Sequence, residues 1–274
     1  MESQKQTLKK YGRGIIGGLL FSLPLLYTME VWWAGFIVSP EKLLACIFTT
    51  LLLLLGYNKF AGMRKDANLI DITRDSLEEI GLAFIVSASF LFLINKINFS
   101  MSFNEITGKV IIESMIVAIG ISIGKSQLGQ QSSKGESTSD KRDKKGTVQM
   151  LILGVCGAVV FASNVAPTEE IVELALVSSY WNLLLMIFVS VLLGFIIIVF
   201  SDFINSTQRK MKTREILLHV LIGNLTGLIV SIGFLWFFGR FDGSYPDVII
   251  SEIIVLLIPS SLGGSAGRLL IGAK

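Results

Sequence analysis

Leu174 to Ser201 runs for 28 residues without one charged side chain. About 20 apolar residues in a helix cross the hydrocarbon of a bilayer, so this segment predicts a membrane span. Stretches of the same kind recur over roughly 12–37, 41–58, 75–95, 105–124, 148–167, 174–201, 214–238 and 247–270, which gives eight spans. Lipid offers no partner to backbone polar groups, so only helices or closed barrels span it. Continuous apolar runs, without period-two alternation, select helices. Composition points the same way: 52% of the residues are hydrophobic and 16% charged, whereas soluble domains carry about a quarter charged. The expected fold is an all-α polytopic transmembrane bundle.

Charge placement tests that count. With the N-terminus cytoplasmic, 20 of the 24 basic residues fall on the inside, and only Lys42, Lys96, Lys109 and Arg240 fall outside. This is the positive-inside pattern with both termini cytoplasmic, and one span more or fewer would scramble it. Of the 21 acids, 10 lie in the outer half, among them Glu30, Glu113, Glu170 and Glu252. An outer face with that excess concentrates cations, although acids avoiding the inner leaflet would give the same distribution. Cys46 and Cys156 fall inside apolar spans and are expected to be packing residues. The basic start and first apolar run lack a small-residue cleavage site, so the run reads as a retained helix.

The chain also repeats itself. A shift of 140 positions lays Gly14, Gly17, Phe21, Thr28 and Glu30 onto Gly154, Gly157, Phe161, Thr168 and Glu170, and Thr73-Arg74 onto Thr213-Arg214. A shift of 139 lays Glu113 and Gly124 onto Glu252 and Gly263. Residues 1–124 and 147–274 are therefore expected to be two four-span repeats. Residues 125–146, polar and without aromatics, read as a flexible cytoplasmic linker between them. An even number of spans per half makes the repeats parallel, related by an axis along the membrane normal.

Ionisable groups inside a span are costly and mark functional candidates. Glu113 and Glu252 lie a turn or more inside the last span of each half, where two carboxylates could hold a cation or share a proton. Against this, Lys109 stands four residues before Glu113 and could simply neutralise it. Glu30 and Glu170 form a shallower set, beside Trp32 and Trp33 of the interfacial belt, and suit an outer vestibule. Glu79 and His219 occupy matching inner positions; facing each other, they would make a proton-sensitive pair. Pro24 and Pro259 are candidate kinks, the latter followed by Gly263-Gly264 in a backbone expected to be broken. Small residues such as Gly120, Gly124, Gly223 and Gly227 read mainly as helix contacts. Thr73 and Thr213 read as caps at the starts of their spans.

One histidine in the chain, no H-E-x-x-H, no G-x-S-x-G and no P-loop or dinucleotide fingerprint argue against an enzyme, a resident metal or cofactor, and a nucleic-acid partner.

The segment Gly14-Ile15-Ile16-Gly17-Gly18-Leu19-Leu20-Phe21-Ser22-Leu23-Pro24, followed by Thr28-Met29-Glu30-Val31-Trp32-Trp33, resembles a bacterial family of integral-membrane proteins without assigned function. The resemblance implies a polytopic protein of the bacterial inner membrane. Phe200-Ser201-Asp202-Phe203 resembles a motif of a lysosomal potassium-channel family, but it closes a span here instead of opening one, and no residue role is carried over. The expected function is a channel or transporter for cations or protons built on the symmetric acids, with a homodimer possible. The competing expectation is a non-conducting scaffold or sensor whose linker docks a cytoplasmic partner.

Overall fold

Residues 2–62, 68–127, 147–205 and 213–272 are described in a computed structural model of the chain. They form ten helices: α1 (Glu2–Leu26), α2 (Met29–Ile37), α3 (Pro40–Ala61), α4 (Leu69–Leu93), α5 (Phe103–Gln127), α6 (Thr147–Ser163), α7 (Glu170–Val177), α8 (Tyr180–Asn205), α9 (Thr213–Phe237) and α10 (Pro246–Gly272). No strand occurs among the described residues. Six helices, α3, α4, α5, α8, α9 and α10, are long and apolar enough to cross a membrane, or seven spans if α1 and α2 count as one. Residues 128–146, most of the expected linker, lie outside the described residues.

The first and fifth expected spans are not continuous helices. After Leu26 the chain turns through 86° into α2. Pro24 starts this break, because it has no N–H to donate and cannot sustain the regular ladder. In the fifth, α6 stops at Ser163 after 17 residues, and Asn164–Glu169 lead into the eight-residue α7. Apolar composition extends across both breaks, so hydropathy alone joined them.

α10 departs from expectation in the other direction, continuing through Pro259 as one helix. The Ser260 and Ser261 hydroxyls bond to Leu256 O and Ile258 O, and Ser260 Oγ meets Ser231 Oγ of α9 at 2.8 Å, holding the turn where an N–H is missing. Thr73 also differs from expectation. α4 begins four residues earlier, with the Asp71 carboxylate accepting the Asn68 N–H, and Thr73 bonds back to Leu69 O within the helix. Thr213 does open α9.

α5 and α10 are the hubs. α5 touches α1, α2, α3 and α4, and α10 touches α6, α7, α8 and α9. The closest approaches are made by glycine. Gly17 lies against Gly120 and Gly124, and Gly157 lies against Gly263 and Gly267; a Cβ at any of the six would meet backbone. Without a hydrophobic force between helices in lipid, such close backbone packing drives their association. Both α4 and α9 end in a residue with positive φ, Asn95 and Gly239. Each is followed by a basic residue whose N–H returns to the helix, Lys96 to Leu91 O at 2.8 Å and Arg240 to Leu235 O at 2.9 Å. These are Schellman ends, satisfying carbonyls that the helix leaves open. Between the halves, α3 packs on α6, where Gly56 receives Ile152.

Candidate functional site

Glu113 stands ten residues into α5, about 15 Å from its start at 1.5 Å per residue. On the same stripe of α5, four residues to either side, Lys109 meets Gly35 of α2 and Val117 meets Gly18 of α1. Extending the antiparallel α1–α5 register brings Leu25–Leu26, the start of the break, level with Glu113. The corresponding register of α6 on α10 brings Thr168, in the second break, level with Glu252. Each acid therefore stands opposite the interruption in the first helix of its own half.

Side chains satisfy the broken ends. Asn164 inserts between Leu25 N and Phe21 O, accepting from the first at 3.1 Å and donating to the second at 3.3 Å. It thereby replaces a hydrogen bond that α1 would otherwise close on itself. Trp32 Nε1 donates to Leu26 O at 3.1 Å. Arg240 Nη2 donates to Pro167 O at 2.9 Å and Thr168 O at 3.2 Å.

Glu113 is 0% exposed and Glu252 1%. Neither oxygen of Glu113 has a hydrogen-bond partner, and Oε2 of Glu252 has none. The expected neutralisation of Glu113 by Lys109 does not occur: Lys109 Nζ turns to Glu105 at 2.6 Å and to Lys96 O at 3.1 Å. No hydrogen bond joins the two halves' acids to each other, and no group of three His, Cys, Asp or Glu among the described residues is arranged to hold a metal.

The remaining candidates are dispersed. Glu30 is partly exposed on α2, and Glu170 is exposed at the start of α7. The Glu170 backbone N–H, then the Thr168 side chain, hold the Glu170 carboxyl below the usual carboxylate range, so it stays charged at neutral pH. His219 is half-buried on α9, its Nδ1 against Glu215 O. Glu79 is bonded elsewhere: Asn58 Nδ2 reaches it at 2.8 Å, and Lys125 Nζ lies 3.6 Å away. Pro24 sits at the α1 break, whereas Pro259 and Gly263 lie within an unbroken helix, Gly263 packed on Gly157 and Ala158.

Sequence reasoning missed the cluster around Glu79. Lys125 Nζ also binds Glu78 at 2.9 Å, and Lys10 Nζ reaches Glu78 at 3.1 Å and Asp75 at 3.6 Å. Asn58 links Ser76 and Ser122 at 3.0 Å each, and Tyr57 Oη meets Ser126 Oγ at 2.6 Å. The usable signal was a Glu-Glu pair near one end of the third span and a lysine in the last turn of the fourth, which antiparallel packing brings to one level. A cavity of about 240 Å³ opens between α3, α6 and α9. It is apolar, lined by Cys46, Leu53, Val159 and Phe234 among others, and neither Glu113 nor Glu252 reaches it.

Together, the apolar spanning helices, broken first helices and glycine-packed hubs define a polytopic helical integral membrane protein. A family model described as "Putative integral membrane protein (DUF2391)" matches residues 10–271, and the chain belongs to that family. No curated protein and no solved structure matches it.

Proposed function

We propose that this protein is a cation or proton transporter built from two parallel repeats of four crossings, with both termini cytoplasmic in the bacterial inner membrane. α2 and α7 are half-inserted segments on the outer side. The observation that carries the reading is Glu113: a carboxyl group with no accessible surface and no partner, while the nearest lysine is bonded elsewhere. An isolated ionised carboxylate in an apolar interior costs far more than a helix contact returns, so the group must be neutral or must meet a mobile positive charge.

The repeat reading is supported by glycine contacts and Schellman ends at corresponding places in each half. Positive-inside charge supports the orientation. Broken helices facing a buried ionisable group suit transport, since irregular backbone at membrane depth is tolerated where it is covered by protein or lines a wet cavity. Glu30 and Glu170 then serve as outer acids that gather cations before they reach the interior.

The test is flux into proteoliposomes. Wild type should dissipate a proton or monovalent-cation gradient, and the Glu113→Gln, Glu252→Gln double variant should not. Equal flux in the two would remove the site.

A further inference from the structure

The two buried acids are not equivalent, and the difference lies in where each half sends its cations. In the second half, Arg240 follows the Schellman end of α9 and places its guanidinium on Pro167 O and Thr168 O, in the break between α6 and α7. In the first half the residue at the matching place is Lys96, whose Nζ lies 4.0 Å from the centre of the Trp32 ring. Lys109 is bound to Glu105 and Lys96 O.

Glu113 has no partner on either oxygen, and the nearest lysine on its own helix, Lys109, is bonded to Glu105. The ionisable groups of the elements around it are all committed or remote along their helices. On α5 they are Lys109, Glu105 and Lys125, and on α2 the partly exposed Glu30. α1 carries none between Gly14 and Leu26; Glu78 and Glu79 of α4 lie at Lys125, twelve residues along α5 from Glu113; on α3, Glu41 is exposed, Lys42 is turned to Trp236 O and Asp242, and Lys59 is in the last turn; and α10 carries Glu252. The level of Glu113 is otherwise apolar, with Leu25 2%, Leu26 0% and Val117 0% exposed.

From this geometry we infer that Glu113 is a proton carrier in its neutral, protonated form, that Glu252, in the half whose break holds the Arg240 guanidinium, is the less protonated of the two, and that the ion moved is the proton. A hard metal cation stripped of water takes about six or more oxygen ligands, whereas Glu113 has no hydrogen-bond partner and no group of three His, Cys, Asp or Glu among the described residues could hold a metal. A proton needs one carboxyl. In the transport step the Glu113 O–H bond breaks and the proton passes to water entering from one side. The carboxylate left behind recovers a proton from water on the other side, which restores the starting group. The identity of the ion rests on the transport reading; the protonation state of Glu113 does not.

Two measurements on the full chain in lipid separate these. Infrared difference spectra at neutral pH should contain the carbonyl stretch of a protonated carboxylic acid, lost in Glu113→Gln and kept in Glu252→Gln. Dicyclohexylcarbodiimide, which adds to protonated carboxyls in apolar surroundings, should label wild-type Glu113 and spare Glu252, read by mass spectrometry. The labelling arm needs no variant to fold. A band that survives Glu113→Gln, or labelling of Glu252 equal to that of Glu113, overturns the inference. If flux depends on Glu113 but neither the band nor the label is found there, the transport reading stands and the proton carrier falls. The band and label without flux keep the protonated Glu113 and remove transport.

Discussion

The end of the first half around Lys125 and the end of the second around Gly264 hold their helices together by opposite chemistry. In the first, Asn58, Ser76, Glu78, Glu79 and Lys125 form a buried polar cluster across α3, α4 and α5. At the positions reached by the same shifts, the second half has Ile198, Ile216, Leu218, His219 and Gly264. There α9 and α10 approach on glycine: Gly223, Gly227 and Gly264 each meet the neighbouring helix directly. One half joins its helices by paired charges and the other by close backbone contact. Charged clusters fix a single arrangement, because separating any pair leaves an uncompensated ion in the interior. Small-residue contacts leave no buried ion behind when they shift, and here the side-chain bond between α9 and α10, Ser231 Oγ to Ser260 Oγ, joins neutral groups. The first half thus reads as the rigid partner at this end and the second as the one free to shift.

That contrast can be broken most directly at Lys125. Lys125→Ala should destabilise the protein by about 3–5 kcal/mol, because it leaves the buried Glu79 without its cation and the half-buried Glu78 with Lys10 alone. Thermal unfolding in detergent measures it, and a loss below 1 kcal/mol would show that the cluster is wet and loosely held. Arg240→Ala comes next, at about 1.5–3 kcal/mol for charge-assisted bonds to two carbonyls. The loss should shrink when Glu252→Gln is already present, and additive effects would uncouple Arg240 from that acid.

Gly17→Ala and Gly157→Ala should each cost about 1–3 kcal/mol through overpacking against α5 and α10. If the halves are equivalent in their hub contacts, the two losses agree, and a large gap between them would weaken the repeat. Lys42→Ala should be smallest, under about 1 kcal/mol, since its 3.9 Å pair with Asp242 is exposed on the acid's side.

Much of the frame was readable from residue order. Uncharged runs located the long helices, and the spacing of Gly17, Gly124, Gly157 and Gly263 anticipated the hub contacts. The burial of Glu113 and Glu252 was also foreseeable from their depth within apolar runs. Pro24 marked a candidate kink in the first span, but the extent of the breaks was hidden, because Leu25, Leu26 and Val165 are as apolar as a continuous helix requires, and the turn involves Asn164 from a distant segment. The direction of Lys109 was equally hidden: helical spacing allows it Glu105 or Glu113, and only the packing of α2 decides. Glu79 and His219 matched by position in the chain, but position says nothing of partners, and Asn58 with Lys125 take the Glu79 carboxylate.

Asn164 completes the end of α1 from 139 residues further along. At a synthesis rate of about 5–20 residues per second, the amide that finishes this helix leaves the ribosome on the order of 10 s after Leu25. Until then the Leu25 N–H can close only on α1 itself, toward Phe21 O. The last turn of α1 therefore takes its final partner only after α6 has been made.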